Sequence, residues 1–390
     1  MTCILLTAAE ASGDALGAEL MQALRRRLGP DLRFVGLGGP QMTAQGLESA
    51  FDIGELSVVG LVEGLLAYPR ASKRADQIAA LAARERPALA VMIDSWGFSY
   101  LAAKAVRRRS PELPLVKFVA PQVWATRPGR ARALATTFDR LLALLAFEVP
   151  IFERAGVPTI FVGHPALSHD FSRADPSRLR AAISAGPDDP ILLVLPGSRA
   201  SEIDRLMPRF EDAVRRLKAE RPLLHVVMAI APTVAPAVKA RVAGWPFRVH
   251  LIEDAVGKDD AMVAADVALA CSGTVTTELA AAGCPMVVAY RLGPVTYQIA
   301  KRIIRTRYIT LINIAAGDLV APELIQEACT GPDLARELAL RLDDPQLRAR
   351  QAAAQTQALD GLGRGGPPPA GRAADAIVEM LEQRPVSPPP

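Results

Sequence analysis

The sequence has few aromatic residues and few cysteines, and each shortage excludes a class of protein. Aromatic residues make up 5% of the 390 residues, whereas hydrophobic residues make up 50%. This composition favours helices packed on buried sheets over an aromatic-rich β-sandwich. The cysteines lack CxxC spacing; they are Cys3, Cys271, Cys284 and Cys329. We therefore expect small buried apolar thiols, with neither a disulfide framework nor a zinc site.

Long uncharged hydrophobic runs are also missing. No stretch of 18 apolar residues occurs, because the longest ones are interrupted by Glu63, Asp266 and Glu278. No basic segment precedes the apolar Cys3–Ala8, which predicts a first strand and not a signal peptide. We expect a cytoplasmic protein with at most peripheral membrane contact.

The net charge is modest, at +4 with four histidines counted as neutral. A small basic excess suits an anionic small molecule or an anionic membrane face, and it is a weak signal for nucleic acid. The Gly36–Pro40 segment lacks GxGxxG spacing, which disfavours a nicotinamide dinucleotide. We expect no cofactor and no nucleic-acid partner.

Short apolar runs alternate with segments of helical period, which predicts βαβ units and parallel sheets. The expected strands are Cys3–Thr7, Arg33–Leu37, Leu89–Ile93, Leu115–Val119, Arg140–Leu144, Thr159–Val162, Ile191–Leu195, His225–Ile230, Arg248–Leu251, Val267–Ala270 and Met286–Ala289. A chain of this length exceeds one hydrophobic core. The fold prediction is therefore α/β, with two doubly wound, Rossmann-like domains facing across a cleft.

The domain boundaries follow from breaks in this pattern. A short polar segment ending in Asp175-Pro176 separates the two strand series, and helices follow Pro332. We expect an N-terminal domain over 1–168, a second domain over 169–345, C-terminal helices over 346–384 and a disordered tail over 385–390. The C-terminal helices could pack back on the N-terminal domain or exchange with a second copy in a homodimer.

Two strand ends of the first domain carry candidate catalytic residues. Glu10 and Ser12 lie in the turn after the first strand, and Asp94 directly follows Ala90–Ile93. Ligands bind outside the carboxyl ends of strands in open α/β sheets, and a carboxylate there can deprotonate a hydroxyl. The alternatives are that Ser12 or Asp14 caps the first helix and that Asp94 caps the next turn.

Two strand ends of the second domain predict anion binding. Gly197, Ser198 and Arg199 form a turn before a long helix, where backbone N–H groups, the helix dipole and a guanidinium favour a phosphate. The alternative is a surface pair of Arg199 with Glu202 or Glu211. Ser272-Gly273-Thr274 repeats this geometry, and Glu278 one turn later suits ribose hydroxyls. Two such turns favour a nucleotide diphosphate.

Three further segments combine apolar and basic residues. Trp124 precedes Arg127, a combination that suits a sugar or phosphate platform. Leu56–Ala67 is nearly continuous in apolar residues. Tyr297–Thr310 interleaves apolar residues with Lys301, Arg302 and Arg305, which fits a peripheral membrane face. Core packing and a solvated helix face are the alternatives.

Taken together, these motifs resemble the lipid-A-disaccharide synthases, a family of inverting glycosyltransferases with the B-type, two-Rossmann fold. The resemblance runs from Glu10 to about Leu324. The segments that carry it are Glu10–Asp14, Val59–Glu63, Ile93-Asp94, Phe147-Glu148, Gly163–Pro165, Leu195–Arg199, Ser272–Thr274 with Glu278, Cys284–Val288 and Tyr290-Arg291. Each is weak alone, whereas nine in register are specific.

The resemblance implies roles for individual residues. Asp94 would be the general base, Arg199 would bind the UDP diphosphate, Glu278 would contact the ribose and Asn313 would lie near the nucleotide. The implied reaction joins UDP-2,3-diacylglucosamine to 2,3-diacylglucosamine 1-phosphate, giving a β-1,6-linked disaccharide phosphate and UDP without a metal. Glu63 belongs to the acceptor or lipid side. The implied location is the cytoplasmic face of the inner membrane.

Some positions depart from the family pattern. Gln122 and Thr126 replace a serine and a second tryptophan, Gly97 lies where some relatives carry Pro-Asp-Phe, and Ile312 replaces a proline. These departures fall on the acceptor side in the resemblance. Two alternatives remain at this stage, a UDP-sugar 2-epimerase with the same fold and a nucleotide-binding protein without catalysis.

Overall fold

The computed structural model describes residues 2–56, 61–167, 169–304 and 306–383, and at 55, 56, 61–67, 295, 299 and 303 it describes the backbone alone. The chain forms two compact units. The first combines the chain up to Pro165 with the chain from Gly366 onward, and the second is continuous from Ala166 to Gly365. The predicted cleft between the domains stays a prediction.

The first unit contains a seven-stranded parallel sheet within the described residues. Its strands are β1 Cys3–Ala8, β2 Arg33–Leu37, β3 Glu48–Ser49, β4 Leu89–Ile93, β5 Leu115–Phe118, β6 Arg140–Ala143 and β7 Thr159–Phe161. Its helices up to residue 165 are α1 Ala11–Leu28, α2 Pro40–Ala44, α3 Leu61–Glu85, α4 Trp96–Arg109, α5 Gly129–Ala135 and α6 Val149–Glu153. The central strands are apolar along their length because helices cover both sheet faces.

The second unit contains a six-stranded parallel sheet within the described residues. Its strands are β8 Ile191–Leu195, β9 His225–Ala229, β10 His250–Ile252, β11 Val267–Cys271, β12 Met286–Tyr290 and β13 Glu323–Ile325. Its helices are α7 Pro176–Ile183, α8 Ala200–Glu220, α9 Ala235–Val242, α10 Ala255–Ala264, α11 Thr274–Ala281, α12 Pro294–Ile303, α13 Leu311–Ala316, α14 Gly331–Asp343 and α15 Pro345–Gly361. Short 3₁₀ helices occur along the whole chain, before and after the start of this unit at Ala166; they are Ile53–Leu56, Ala146–Glu148, Pro165–Leu167, Pro232–Val234 and Gln326–Ala328.

The last helix, α16 at Pro369–Glu382, belongs to the first unit. It packs against α1, and its apolar face joins the buried cluster on one side of the first sheet. Arg27 on α1 pairs with Asp375 on α16. In contrast, α15 remains in the second unit, where the buried Gln351 and Gln355 donate to the carbonyls of Met286 and Cys284. The chain therefore returns to the first unit at Gly366, later than the predicted position 346.

The strand orders confirm the predicted doubly wound α/β architecture. They run β3-β2-β1-β4-β5-β6-β7 and β10-β9-β8-β11-β12-β13. The order reverses between β1 and β4 in the first sheet and between β8 and β11 in the second. Such reversal points open a crevice at the carboxyl ends of the strands, where α/β proteins place their ligands.

The predicted strands lie in place apart from shifts at their ends, the largest being β10, which begins two residues after the expected Arg248. Two edge strands were missed. β3 has two residues and β13 has three, and neither is a run of apolar residues long enough to be recognised in the sequence. Cys271, Cys284 and Cys329 are buried as expected, whereas Cys3 is half-buried; all four are free thiols.

Candidate functional site

The reversal point of the first sheet brings Ser12 and Asp94 together. Ser12 follows β1, Asp94 follows β4, and the Ser12 hydroxyl donates to Asp94 Oδ2 at 2.6 Å. The expectation that Ser12 or Asp14 caps α1 is wrong, since the N-cap of α1 is Glu10 and it makes no side-chain cap bond. The buried Asp14 instead accepts from the backbone N–H groups of Gly39, Gln41 and Met42.

The backbone around Asp94 is held in an unusual conformation. Asp94 and Ser95 have φ values of 49° and 34°, in the left-handed region that side-chain-bearing residues rarely adopt. Asp94 N–H donates to the Phe118 carbonyl at 2.9 Å, and the Ser99 hydroxyl donates to the Asp94 carbonyl at 2.7 Å. The Asp94 side chain makes no cap bond to α4, whose N-cap is Ser95. This conformation therefore directs the Asp94 carboxylate to Ser12.

A buried lysine next to Asp94 was missed by the sequence analysis. Lys117 lies in β5 with 1% of its surface exposed, and its Nζ donates to the Asp94 carbonyl at 2.5 Å. Burial lowers the pKa of Lys117 to about 7, and the carboxylates of Asp94 and Glu10 oppose this decrease. The signal that could have revealed it is a single lysine within an otherwise apolar strand. It was overlooked because Leu115–Phe118 has the pattern of an ordinary core strand.

Trp124 lies beside a second buried ionisable group. Its indole Nε1 donates to Glu148 Oε1 at 3.0 Å, and its ring packs edge-on against Phe147. Burial raises the pKa of Glu148 to about 7, although hydrogen bonds from Trp124 and the Leu145 backbone lower it. Trp124 is therefore hydrogen-bonded to a carboxyl group and only partly exposed. Arg127, in contrast, is exposed, and its φ is +49°.

A third ionisable group, the half-buried His164, follows β7. Burial lowers the pKa of His164 to about 4. Its imidazole is therefore neutral at physiological pH.

The reversal point of the second sheet contains a cavity of about 550 Å³. It lies at the carboxyl ends of β8 and β11, and Gly197, Ser198 and Arg199 line it together with Ser272, Gly273 and Thr274. The other lining residues are Leu195, Glu202, Ala229, Ile230, Ala231, Pro232, Ile252, Glu253, Asp254, Ala255, Lys258, Cys271 and Val275. Its walls thus combine apolar residues with polar groups and with charges of both signs.

Arg199 combines the two alternatives considered for it. Its Nη1 donates to Glu202 Oε1 at 3.0 Å, yet 72% of the Arg199 side chain is exposed and the residue lines the cavity. The buried Glu202 also accepts from the N–H groups of Ser198 and Arg199, at 3.0 and 3.3 Å. Those two N–H groups were expected to face a phosphate; they are occupied by a carboxylate. The guanidinium remains the accessible donor of this turn.

The start of α11 is more open. Gly273 is its N-cap with no side-chain cap bond, and a Cβ placed on Gly273 would meet open space. Gly273, Thr274 and Val275 line the cavity, so the start of α11, where helix N–H groups lack intrahelical partners, borders a volume that an anion can enter. Glu278 does not line the cavity; it pairs with Lys258 of α10, which does. Lys258 was not among the residues predicted from the sequence.

Asn313 lies outside this cavity. It is fully buried in α13, and its Nδ2 donates to the Ala321 carbonyl at 2.7 Å and to Glu323 Oε1 at 2.8 Å. Its Oδ1 accepts from Ala321 N–H at 2.9 Å. Both amide hydrogens are used, so Asn313 fixes the loop before β13 and has no donor left for a nucleotide.

The remaining candidates are scattered or undescribed. Lys301 and Arg302 are exposed in the last turn of α12. Arg305, residues 57–60 and the side chains of Leu56–Ala67, Glu63 among them, lie outside the described part of the structure. Gly97 and Gln122 are exposed and Thr126 is partly exposed. In the described part of the chain, no cluster of His, Cys, Asp and Glu could hold a metal ion, and no helix is both long and apolar enough to cross a membrane.

Solved structures with the same fold include sugar-nucleotide enzymes. The UDP-GlcNAc 2-epimerase from Neisseria meningitidis bound to UDP-GlcNAc matches with a TM-score of 0.61 at 12% identity, covering 98% of this chain and all of the other. The calicheamicin glycosyltransferase matches with a TM-score of 0.59 at 19% identity over the whole of both chains. Identities this low show the shared fold alone.

The sequence relatives are much closer. The lipid-A-disaccharide synthase of Rhodospirillum centenum is 42% identical over 382 residues, 98% of this chain and 95% of the relative. That of Ruegeria pomeroyi is 43% identical over 387 residues, 97% of this chain and 95% of the relative. The family model for lipid-A-disaccharide synthetase matches residues 4–366. The epimerase alternative is therefore not favoured, and the chain belongs to the lipid-A-disaccharide synthetase family of glycosyltransferases.

Proposed function

We propose that this chain transfers 2,3-diacylglucosamine from its UDP derivative to the 6-hydroxyl of 2,3-diacylglucosamine 1-phosphate, with inversion and without a metal. The products are the β-1,6-linked disaccharide phosphate and UDP. The observation that carries this proposal is the 550 Å³ cavity at the second reversal point, where an exposed guanidinium and an open helix start adjoin apolar walls.

The cavity fits the UDP part of the donor. Arg199 and the first turn of α11 offer charge-assisted and backbone donors to the two phosphates. Lys258 adds a cation to the cavity wall. It pairs with Glu278, so this carboxylate can contact a ribose only after Lys258 has moved aside. The UDP-GlcNAc 2-epimerase from Neisseria meningitidis, which has the same fold, was solved with UDP-GlcNAc bound.

Asp94 is proposed as the general base. Within the described residues Ser12 is the only hydrogen-bond donor to its carboxylate, and it occupies Oδ2. Oδ1 is then available to accept the proton of the acceptor hydroxyl as that oxygen attacks the anomeric carbon. The bond to the UDP oxygen breaks in the same step, and attack from the opposite face inverts the configuration. Glu10, the N-cap of α1, adds negative charge at the same edge.

A metal is not needed for the leaving group in this scheme. The charge that develops on UDP meets the guanidinium of Arg199 and the positive end of the α11 dipole. Fixed groups of this kind stabilise a developing anion without reorganising during the reaction.

The acceptor and its membrane are proposed to lie on the side of Trp124, Arg127 and Glu63. The acyl chains require an apolar surface, which Leu56–Ala67 would supply by its composition. Exposed Lys301 and Arg302 of α12 would attract anionic lipid headgroups. We therefore propose peripheral association with the inner membrane, and a homodimer remains a prediction.

One assay tests the proposal. Purified protein is incubated in detergent with UDP-2,3-diacylglucosamine and 2,3-diacylglucosamine 1-phosphate, and the products are separated by mass spectrometry. We expect equal amounts of UDP and disaccharide phosphate, at a rate that chelating agents do not change. UDP-GlcNAc isomerisation without lipid would support the epimerase alternative instead, and UDP binding without turnover would exclude the transferase.

A further inference from the structure

Lys117 occupies a position where a parallel sheet normally holds an apolar residue. It lies in β5 opposite Met92 of β4, which in turn lies opposite Thr7 of β1. The three residues form a row across the centre of the first sheet, and all three are buried. A methionine or leucine at position 117 would fill the same space without removing a charge from water.

The ammonium group of Lys117 is used entirely by backbone carbonyls. Its Nζ donates to Asp94 O at 2.5 Å, Phe118 O at 3.1 Å and Met92 O at 3.2 Å. These contacts account for its three N–H donors. Within the described residues it forms no ion pair with a carboxylate. An unpaired buried cation is destabilising in itself, so its presence points to a role other than stability.

The contact with Asp94 O fixes the conformation of a strained segment. Asp94 and Ser95 both have positive φ, which is unfavourable for residues with a Cβ. Lys117 and Ser99 donate to the Asp94 carbonyl from two sides, while Asp94 N–H donates to Phe118 O. The peptide that leaves β4 is therefore held at both ends, and its orientation determines where the carboxylate points.

We propose that Lys117 is a positioning residue for Asp94, holding its backbone in the left-handed conformation through the Asp94 carbonyl. This inference rests on the proposed function, in which Asp94 is the base. The charged groups that act on the ammonium are the carboxylates of Asp94 and Glu10, which raise the pKa of Lys117 against the effect of burial. Removing the Asp94 charge should therefore lower the pKa of Lys117.

The first test measures Lys117 in the folded protein. Lysine labelled with ¹³C at the ε carbon gives NMR signals that follow ammonium titration, and burial lowers the pKa of Lys117 to about 7, well apart from ordinary lysines. In Asp94→Asn we expect this titration to move about 1 pH unit lower, since an opposite charge has been removed. A titration at the wild-type pH in Asp94→Asn would overturn the inference.

The second test follows turnover in Lys117→Met and Lys117→Gln. Glutamine keeps two donors without the charge, so the pair separates charge from hydrogen bonding. We expect kcat to fall about tenfold in Lys117→Met and less in Lys117→Gln, because a misplaced base slows the chemical step, while KM and the Kd for UDP stay within twofold. A wild-type kcat in folded Lys117→Met would overturn the inference.

Gln355→Met is the matched control, because it also removes a buried donor to a backbone carbonyl, in the second unit. It should lower Tm and leave kcat unchanged. The two proposals fail in different ways. If Asp94→Asn retains normal turnover, the proposed base is wrong; if Asp94→Asn is inactive but Lys117→Met keeps the wild-type kcat, only the role of Lys117 is wrong.

Discussion

The two sheets reverse their strand order in the same way, yet the side chains at the two reversal points are of opposite kinds. The first presents acids, with Asp94 paired to Ser12 and Glu10 on the next turn. The second presents a guanidinium and an open helix start, Arg199 and the Gly273 turn. The difference suggests that one topology supplies the location of a site, whereas the residues at the strand ends decide whether it removes a proton or holds an anion.

The largest expected effect separates these two roles in the first unit. Asp94→Asn should lower turnover by roughly 10²–10⁴, because an amide cannot accept the proton of the acceptor hydroxyl. The Kd for UDP should be unchanged by calorimetry. Asp76→Asn, an exposed acid on α3, is the control and should keep normal turnover. Near-normal activity in Asp94→Asn would show that Asp94 is not the general base.

The reverse result is expected in the second unit. Arg199→Ala should weaken UDP binding by about 1.5–3 kcal/mol, since it removes a charged hydrogen-bond donor from the cavity. Arg215→Ala is the matched control, an exposed arginine on the same helix that pairs with Asp212. An unchanged UDP titration for Arg199→Ala would contradict the assignment of the anion site.

A smaller effect tests the hydrogen bond to Asp94. Ser12→Ala should reduce turnover about tenfold, because one donor to the ionised Asp94 is lost while the base remains. Ser12→Thr keeps the hydroxyl and should restore most of the activity. Equal rates for the alanine and threonine variants would show that the bond seen between Ser12 and Asp94 has no part in catalysis.

The last prediction concerns stability against pH and leaves turnover aside. The pKa of Glu148 is raised to about 7, above its unfolded value, so the folded state binds the extra proton and its stabilisation is lost as pH rises through 7. Denaturant titrations should show wild type losing stability relative to Glu148→Gln between pH 4.5 and 7, by at most about 1.4 kcal/mol for each pH unit. A constant difference across this range would contradict the raised pKa.

The architecture was predictable because parallel strands covered on both faces are short apolar runs. The ends of these strands were predicted to within two residues. β3 and β13 escaped because edge strands of two or three residues carry no such run. At the candidate site, sequence position pointed to Asp94 and Arg199, since Asp94 directly follows β4 and Arg199 lies in the turn after β8.

What a side chain contacts could not be read in the same way. Glu202 occupies the N–H groups that were assigned to phosphate, and Asn313 is used by its own loop. Lys117 was hidden because its partners are backbone carbonyls, which leave no pattern in the sequence.

The return of α16 to the first unit has a consequence for synthesis on the ribosome. Ala370, Ala373, Ala374 and Ile377 complete the same buried cluster as Leu20, Met21 and Leu24 of α1. The second unit is one uninterrupted segment and can close as soon as residue 365 has emerged. The unit that starts first is thus finished last, and until then the uncovered flank of α1 is an apolar surface for chaperones to shield.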